Sequence, residues 1–274
     1  MIISFNRDNF VKSDLEQYFD NNDQRLIHKW QHYFDIYERH FSRFRGKPIT
    51  IMEIGVYHGG SLQMWKDYFG SEAQIVGIDI NPKCKGFEED QIKVYIGSQS
   101  DRSFLKDLKK QIPKVDILID DGGHTMRQQK VTFQELFYHV KEDGVYLCED
   151  THTSYWMRYG GGLKRGGTFI EFAKGFIDQL HAHHSEQGHF KVNSFTNEAD
   201  SIHFYDSVVV VEKRLREAPY DGVTGRKSYK TDSTQVPAYK RILNSLRRKL
   251  LSSLNRFLKL FRIRDLSILS GFWW

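Results

Sequence analysis

Thr50-Ile51-Met52-Glu53-Ile54-Gly55-Val56-Tyr57-His58-Gly59-Gly60-Ser61 is the stretch that decides the fold of this chain. It begins within a short apolar run, Ile49 to Ile54, whose length suits a buried strand, and a glycine-rich turn follows at once. A helical pattern then continues to Gly70, a residue type that commonly ends helices. Strand, glycine turn and helix in this order direct backbone N–H groups and a helix N-terminus toward a bound ligand.

The spacing of the glycines indicates which kind of ligand the turn binds. A dinucleotide-binding turn reads G-x-G-x-x-G, whereas here three residues separate Gly55 from Gly59 and an acid, Glu53, stands on the strand. This spacing disfavours an NAD-dependent oxidoreductase. It resembles the first motif of class I S-adenosylmethionine (AdoMet) methyltransferases, in which the turn lies under the amino-acid end of AdoMet.

Composition sets the bounds on the chain. Its 274 residues suit one α/β domain with appendages. It has no run of 18 apolar residues, and residues 1–7 lack the pattern of a signal peptide. The two cysteines, Cys84 and Cys148, form no disulfide framework, so we expect a reduced, cytoplasmic setting.

The charge is unevenly distributed. Residues 213–274 hold 15 Lys/Arg and four Asp/Glu, a net charge of +11, whereas residues 1–212 hold 25 and 31, a net charge of −6. The basic character of the chain therefore belongs to its C-terminal part.

Residues 1–47 are predicted to be a helical extension, with a single helix over 12–45 that ends at Gly46-Lys47-Pro48. Aromatic residues recur in it at three- and four-residue spacing and would form one stripe. The stripe favours packing against a sheet, and the alternative is that it lines a cofactor or acceptor pocket. It consists of Trp30, Phe34, Tyr37, Phe41 and Phe44.

The next two predicted strands end in polar groups. Residues 74–80 form a strand near whose end Asp79 lies, where a carboxylate can accept hydrogen bonds from both ribose hydroxyls. Residues 92–96 form a strand that leads to Ser98 and Gln99, either of which could reach the adenine edge.

Two further strands, 115–120 and 144–148, end in acids, and a helical pattern over 126–141 joins them. The strands are therefore predicted to be parallel, and ligands of open parallel sheets bind outside the carboxyl ends of the strands. The side chains expected to converge at this edge are Asp120, Asp121, His124, Glu149 and Asp150.

Crowded carboxylates raise one another's pKa unless a cation is present. Mg²⁺ suits a small carboxylate set completed by substrate oxygens and water. His124 follows two glycines, which places it to take a proton. For any single acid, a helix cap or a surface position remains the alternative.

Asp121-Gly122-Gly123-His124 with Glu149-Asp150 resembles the site of the metal-dependent sugar O-methyltransferases, such as the macrocin and mycinamicin enzymes. The related cephalosporin and rhamnosyl methyltransferases share this general plan. The resemblance covers roughly residues 25–212. It implies that Asp121, Glu149 and Asp150 are metal ligands and that His124 is the general base. The residues assigned to AdoMet are Glu53, Gly55, Tyr57, Gly59, Ser61, Asp79, Ser98, Gln99 and Asp120.

Residues 153–167 are rich in aromatics and glycine and are predicted to form a mobile lid over the acceptor, with an ordinary long loop as the alternative. The segments 201–205 and 207–211 are predicted to pair and to close the sheet with an antiparallel strand. The methyltransferase domain is thus assigned to residues 48–212.

Residues 213–237 are predicted to be a linker, and residues 238–274 a basic amphipathic tail. Between Ala238 and Arg264 an apolar helical stripe is surrounded by nine Lys/Arg and no acid. Such a helix is typical of membrane-surface binding, with the aromatics of 271–274 as anchors. A protein partner is the alternative, and the regular leucine spacing argues against nucleic acid.

These observations predict a doubly wound α/β, Rossmann-like fold and AdoMet- and Mg²⁺-dependent O-methylation of a sugar hydroxyl. The tail favours an acceptor in a cell-surface glycan or glycolipid and a peripheral position at the inner face of the membrane. The alternatives are a soluble secondary metabolite as acceptor, or a non-catalytic AdoMet-binding protein tethered to the membrane. The resemblance leaves the oligomeric state open, a homo-oligomer included.

Overall fold

The computed structural model describes residues 12–186, 190–229 and 238–260. The chain divides into two compact units. We call the first, with residues 12–180 and 194–216, the sheet unit. The second, with the described parts of 181–193 and 217–274, is the tail unit. The expectation about residues 1–7 lies outside the described residues.

The sheet unit contains one seven-stranded sheet with the order β3-β2-β1-β4-β5-β7-β6. Strands β1 to β5 are parallel, and β7 pairs antiparallel with both β5 and β6. The prediction of a doubly wound sheet with an antiparallel end is confirmed. The strands are β1 (Thr50–Ile54), β2 (Gln74–Asp79), β3 (Ile92–Ile96), β4 (Val115–Asp120), β5 (Val140–Cys148), β6 (Ala199–Tyr205) and β7 (Val208–Lys213).

Helices cover both faces of the sheet because alternate strand residues point to opposite sides. Ile51 of β1 packs into one apolar cluster with the first three helices, and its neighbour Met52 packs into a second cluster with the next three. The helices are α1 (Asp14–Asp20), α2 (Tyr33–Phe41), α3 (Gly60–Phe69), α4 (Arg102–Gln111), α5 (Met126–Leu136), α6 (Phe169–Leu180), α7 (Ser194–Glu198) and α8 (Ala238–Leu260).

The prediction of one helix over 12–45 is wrong, because α1 ends at Asp20 and α2 begins only at Tyr33. Asn22 stabilises the turn between the two helices. Its side-chain amide donates to the carbonyl of Arg25, and its side-chain oxygen accepts from the backbone N–H of Gln24. Asn and Asp side chains bond to nearby backbone in this way and so favour turns over helix interiors. We call residues 21–32 the connecting segment.

Most of the aromatic stripe packs against the sheet, as the first interpretation predicted. Phe34, Tyr37 and Phe41 of α2 are fully buried in the cluster that also holds Ile51. Trp30 lies in the connecting segment instead, and half of its surface is exposed. The N-terminal helices therefore share the core of the sheet rather than standing apart from it.

The helix predicted over 126–141 ends earlier. It stops at Leu136, a single turn of 3₁₀-helix follows at Phe137–His139, and β5 already begins at Val140. The register shift between Val115 and Ile117 of β4 accommodates this longer strand.

In the tail unit, α8 confirms the predicted helix over its described length. Its apolar side chains are exposed, among them Leu243, Leu246, Leu250 and Leu254. Among the helices of the described part, none has the length and apolar character needed to cross a membrane. The predicted aromatic anchors at 271–274 lie outside the described residues.

Candidate active site

The turn after β1 has the backbone geometry that its glycines predict. Gly55 has a φ of +100°, and a Cβ at that position would lie 2.1 Å from the carbonyl oxygen of Asp121. A larger residue there would force β1 and β4 apart. Gly59 follows in the left-handed conformation and immediately precedes α3, so the strand, turn and helix stand as predicted.

Asp79 holds this turn in place from the end of β2. Its Oδ2 accepts from the backbone N–H groups of Val56 and Tyr57, at 2.9 and 3.1 Å. Its Oδ1 accepts from the N–H of Asn81 at 2.8 Å and has capacity for a further donor. The predicted ribose acid therefore also shapes the glycine turn, and its contact with ribose stays a prediction.

A cavity of about 400 Å³ opens at this edge of the sheet, a volume in the usual range for small-molecule sites. Predicted AdoMet residues in its lining are Gly55, Tyr57, Ser61, Asp79, Ser98 and Gln99. The predicted base and metal ligands in its lining are Asp121, His124, Glu149 and Asp150. The other three predicted residues, Glu53, Gly59 and Asp120, are outside this lining.

Gln99 joins two of the loops that line the cavity. Its Nε2 donates to Asp120 Oδ1 at 2.8 Å and to Thr132 Oγ1 at 3.0 Å, and its Oε1 accepts from the N–H of Gly123 at 2.6 Å. These bonds use both ends of the amide. The structure therefore gives Gln99 and Asp120 a supporting role behind the cavity, and a direct contact of either with AdoMet stays a prediction.

Asp120 supplies a test of this supporting network. Burial raises the pKa of its carboxyl to about 7, although the bond from Gln99 opposes the rise. The native state then binds a proton more tightly than the unfolded chain, so this group lowers the free energy of unfolding as pH rises from about 4 to 7. We expect Asp120→Asn, which imitates the neutral form, to be more stable than wild type at pH 8, by up to about 4 kcal/mol.

Urea unfolding of both proteins at pH 4 and pH 8 measures this difference. At pH 4 the two should have similar stability, because Asp120 is then protonated. A variant that is less stable than wild type at both pH values would contradict the assignment.

His124, Asp121 and Asp150 meet at the mouth of the cavity. His124 Nε2 lies 3.9 Å from Asp121 Oδ1 and 3.6 Å from Asp150 Oδ2. Both His124 and Asp150 have positive φ angles, +56° and +52°, a conformation that is uncommon outside glycine and that clusters at functional sites. Thr153 secures the histidine by donating to its carbonyl oxygen at 2.8 Å.

A lysine that the sequence analysis did not predict lies at this site. Lys29 reaches in from the connecting segment, and its Nζ lies 3.1 Å from Glu53, 2.6 Å from Asp121 and 3.0 Å from Glu149. Burial opposes its charge, but Asp121 and Glu149 outweigh that effect and raise the pKa of Lys29. A single lysine in a segment without periodicity carries no signal that predicts this position.

Two tyrosines of α2 also contact the carboxylates. Tyr37 donates to Glu149 Oε1 at 2.6 Å, and Tyr33 donates to Asp150 Oδ1 at 2.7 Å. Burial raises the pKa of both phenols, so both remain donors. The stripe thus serves both interpretations. Tyr37 packs its ring on the sheet and directs its hydroxyl at Glu149, and Trp30 lines the cavity. Tyr33, which contacts Asp150, lies outside the stripe.

The arrangement fits a hard divalent cation. Asp121, His124 and Asp150 each offer a ligand atom, and these atoms lie within 4.8 Å of one another. Mg²⁺ prefers oxygen and needs only one or two carboxylates besides water and substrate oxygens. Asp121 and Asp150 could supply those oxygens, which leaves His124 beside them to exchange a proton.

The fold is that of a class I methyltransferase. Its defining features are the glycine turn that lines the cavity, the acid at the end of β2 and the antiparallel β7. A family model described as a methyltransferase domain matches residues 52–151. The chain therefore contains a methyltransferase domain of this class.

One relative is 8-demethyl-8-(2-methoxy-α-L-rhamnosyl)-tetracenomycin-C 3′-O-methyltransferase of Streptomyces olivaceus. It is 35% identical over 195 residues, which are 67% of this chain and 50% of the relative. Demethylmacrocin O-methyltransferase of Streptomyces fradiae is 33% identical over 202 residues, 69% of this chain and 51% of the relative.

A solved structure of the MycE methyltransferase of the mycinamycin biosynthetic pathway, in complex with Mg and SAH, is also similar. It has a TM-score of 0.65 and 31% identity, over 74% of this chain and 54% of that chain. The chain spans about half the length of the curated relatives it matches.

Proposed function

We propose that this protein transfers a methyl group from AdoMet to a hydroxyl of a sugar, with the help of a divalent cation such as Mg²⁺. The observation that carries the proposal is the meeting of Asp121, His124 and Asp150 at the mouth of the cavity beside the glycine turn. The names of the relatives support it, because one is a 3′-O-methyltransferase of a rhamnosyl tetracenomycin and MycE was solved with Mg and SAH.

The chemistry requires little beyond alignment and removal of one proton. AdoMet supplies a methyl group on a good leaving group, so positioning accounts for much of the acceleration. A divalent cation bound by Asp121 and Asp150 would lower the pKa of an acceptor hydroxyl. His124 Nε2 takes the hydroxyl proton, and the carboxylate of Asp150 at 3.6 Å stabilises the imidazolium that forms.

Transfer of label from methyl-tritiated AdoMet tests the proposal. The full chain is incubated with fractionated host extract and with a panel of rhamnosylated aromatic polyketides and macrolides, with Mg²⁺ or with EDTA. We expect label in a glycoside that is lost with EDTA. Equal transfer with EDTA would overturn the role of the cation, and no AdoMet binding would overturn the activity.

The acceptor is expected to lie against three rings next to the carboxylates, which we call the aromatic wall. Its members are Trp30, His152 and Trp156. The centroids of Trp30 and Trp156 lie 6.0 and 4.5 Å from that of His152, and His152 Nδ1 lies 4.0 Å from Asp150 Oδ1. Trp30 and Trp156 are 52% and 40% exposed, so part of each ring is accessible to a sugar ring or its aglycone. The guanidinium of Arg158 lies 4.5 Å from the centroid of Trp156.

Trp156→Ala tests the aromatic wall. Loss of one stacked ring is expected to raise the KM for the acceptor about tenfold and to leave the Kd for AdoMet unchanged. Steady-state kinetics on the labelled glycoside and AdoMet calorimetry measure the two constants. Tyr220→Ala is the control, since Tyr220 is 94% exposed and outside the cavity lining. An unchanged acceptor KM would remove Trp156 from the acceptor site.

The acceptor is proposed to be either a soluble glycoside or a lipid-linked saccharide at a membrane. A soluble glycoside matches the relatives, whereas the exposed leucines of α8 favour a lipid-linked saccharide at an anionic membrane. Lys240, Arg247, Lys249 and Arg256 surround these leucines, and each basic residue near an anionic surface adds about 1 kcal/mol.

Removal of residues 238–274 separates the two settings. If α8 binds the membrane, the full chain floats with liposomes that contain phosphatidylserine and the truncated chain does not. If the acceptor is a soluble glycoside, truncation leaves the turnover number unchanged. Equal flotation of both proteins would overturn the membrane role of α8.

A further inference from the structure

Lys29 determines which carboxylate oxygens remain available at the site. Glu149 accepts from Lys29 with both oxygens, at 3.1 and 3.0 Å, and its Oε1 also accepts from Tyr37. Glu53 accepts from Lys29 with Oε1 at 3.1 Å and from Ser61 with Oε2 at 2.6 Å. All four oxygens of these two glutamates are therefore engaged inside the protein.

The other two acids each keep an oxygen directed at the mouth of the cavity. Asp121 binds Lys29 through Oδ2, while its Oδ1 faces His124. Asp150 binds Tyr33 through Oδ1, while its Oδ2 faces His124. The four acids thus fall into an inner pair, Glu53 and Glu149, whose oxygens are all engaged, and an outer pair, Asp121 and Asp150, each of which keeps one oxygen facing His124.

We propose that Lys29 is a permanent internal cation that makes Glu53 and Glu149 structural, so that a divalent cation is held by Asp121 and Asp150 alone. The inference rests on the proposed function. It departs from the ligand set that the resemblance implies, in which Glu149 is also a ligand. Lys29 then acts as a positioning residue, because it binds Asp121 through one oxygen and orients the other toward the cation.

Burial explains why the cation does not displace Lys29. The side chain of Lys29 is 2% exposed and those of Glu53 and Glu149 are at most 1% exposed. If a metal took Glu149, the almost fully buried ammonium group would lose a partner, which is costly for a buried charge. Mg²⁺ gains little from a third carboxylate, since it usually keeps several waters.

Mn²⁺ binding to the full chain tests this division without measuring activity. Titration followed by the electron paramagnetic resonance signal of free Mn²⁺ gives the Kd for wild type and four variants. Glu149→Gln and its matched control Glu53→Gln each remove one charge from the inner pair. Asp121→Asn and Asp150→Asn each remove one charge and a ligand.

We expect the two inner variants to agree within about threefold and the two outer variants to bind Mn²⁺ at least about tenfold more weakly than they do. If Glu149→Gln groups with Asp150→Asn, Glu149 is a ligand and the inference is overturned. If wild type binds no Mn²⁺, the cation step of the proposed function falls and the inference with it. If the Mn²⁺ Kd values follow the expected pattern but no methyl transfer is found, the proposed activity is overturned and the inference about Lys29 stands.

A second measurement needs no variant. Acetylation of lysines in the native chain, read by mass spectrometry, is expected to leave Lys29 unmodified both with and without saturating Mn²⁺. Modification of Lys29 only when Mn²⁺ is present would show that the metal displaces it and would overturn the inference.

Discussion

His124→Gln is expected to lower the turnover number for methyl transfer by about 10²- to 10⁴-fold, the usual contribution of a positioned general base. A sugar hydroxyl is a poor nucleophile until its proton leaves, and Nε2 of His124 is the basic nitrogen that faces the outer carboxylates. Glutamine keeps the size and polarity of the side chain but cannot take the proton. The Kd for AdoMet should stay unchanged, because the glycine turn and Asp79 are untouched.

Single-turnover transfer from labelled AdoMet measures this effect separately from product release. His181→Gln is the matched control, because His181 lies in the tail unit and outside the cavity lining. Full turnover by His124→Gln would remove His124 from proton transfer. If the biological phenotype also survived the substitution, the non-catalytic, AdoMet-binding alternative would gain support.

Sequence reasoning predicts those residues of the site that lie beside the end of a strand. Each predicted residue lies at the end of a strand or within two residues after it, and parallel strands bring such positions to one edge. These residues are Gly55, Asp79, Asp121 and Asp150. A short apolar run and its flanking residues are therefore enough to place them. Their roles toward AdoMet and the cation remain predictions.

The part that sequence reasoning misses depends on contacts between distant segments. Lys29 and Glu149 are 120 positions apart, and nothing in the pattern around either residue indicates the pair. The predicted helix over 12–45 is wrong at the connecting segment. The aromatic spacing supports a helix only from Trp30 onward, and the turn-forming side chains of Asn21 and Asn22 interrupt the chain before it. A break at these residues was readable in the sequence, whereas the ion pair was not.

Lys29→Met is expected to lower the free energy of unfolding by about 3–5 kcal/mol in the presence of EDTA, the usual cost of removing one partner from a buried ion pair. Methionine fills similar space, so the loss is that of the charge. Glu53, Asp121 and Glu149 would then face one another without a cation. Burial already raises the pKa of Glu149, with Asp121 adding to the rise, which shows how poorly the site tolerates further negative charge.

Urea unfolding at pH 8 compares this variant with Lys110→Met, whose lysine pairs with Asp107 in solvent and should affect stability little. In the double variant Lys29→Met/Glu149→Gln, one of the unpaired charges is gone, so part of the lost stability should return. A loss of less than about 1 kcal/mol in the single variant would mean that water or a rearranged side chain replaces the ammonium group. Because Lys29 binds Glu53 of the glycine-turn strand and both acidic strand ends, its loss should destabilise the edge on which the AdoMet turn and the cation ligands depend.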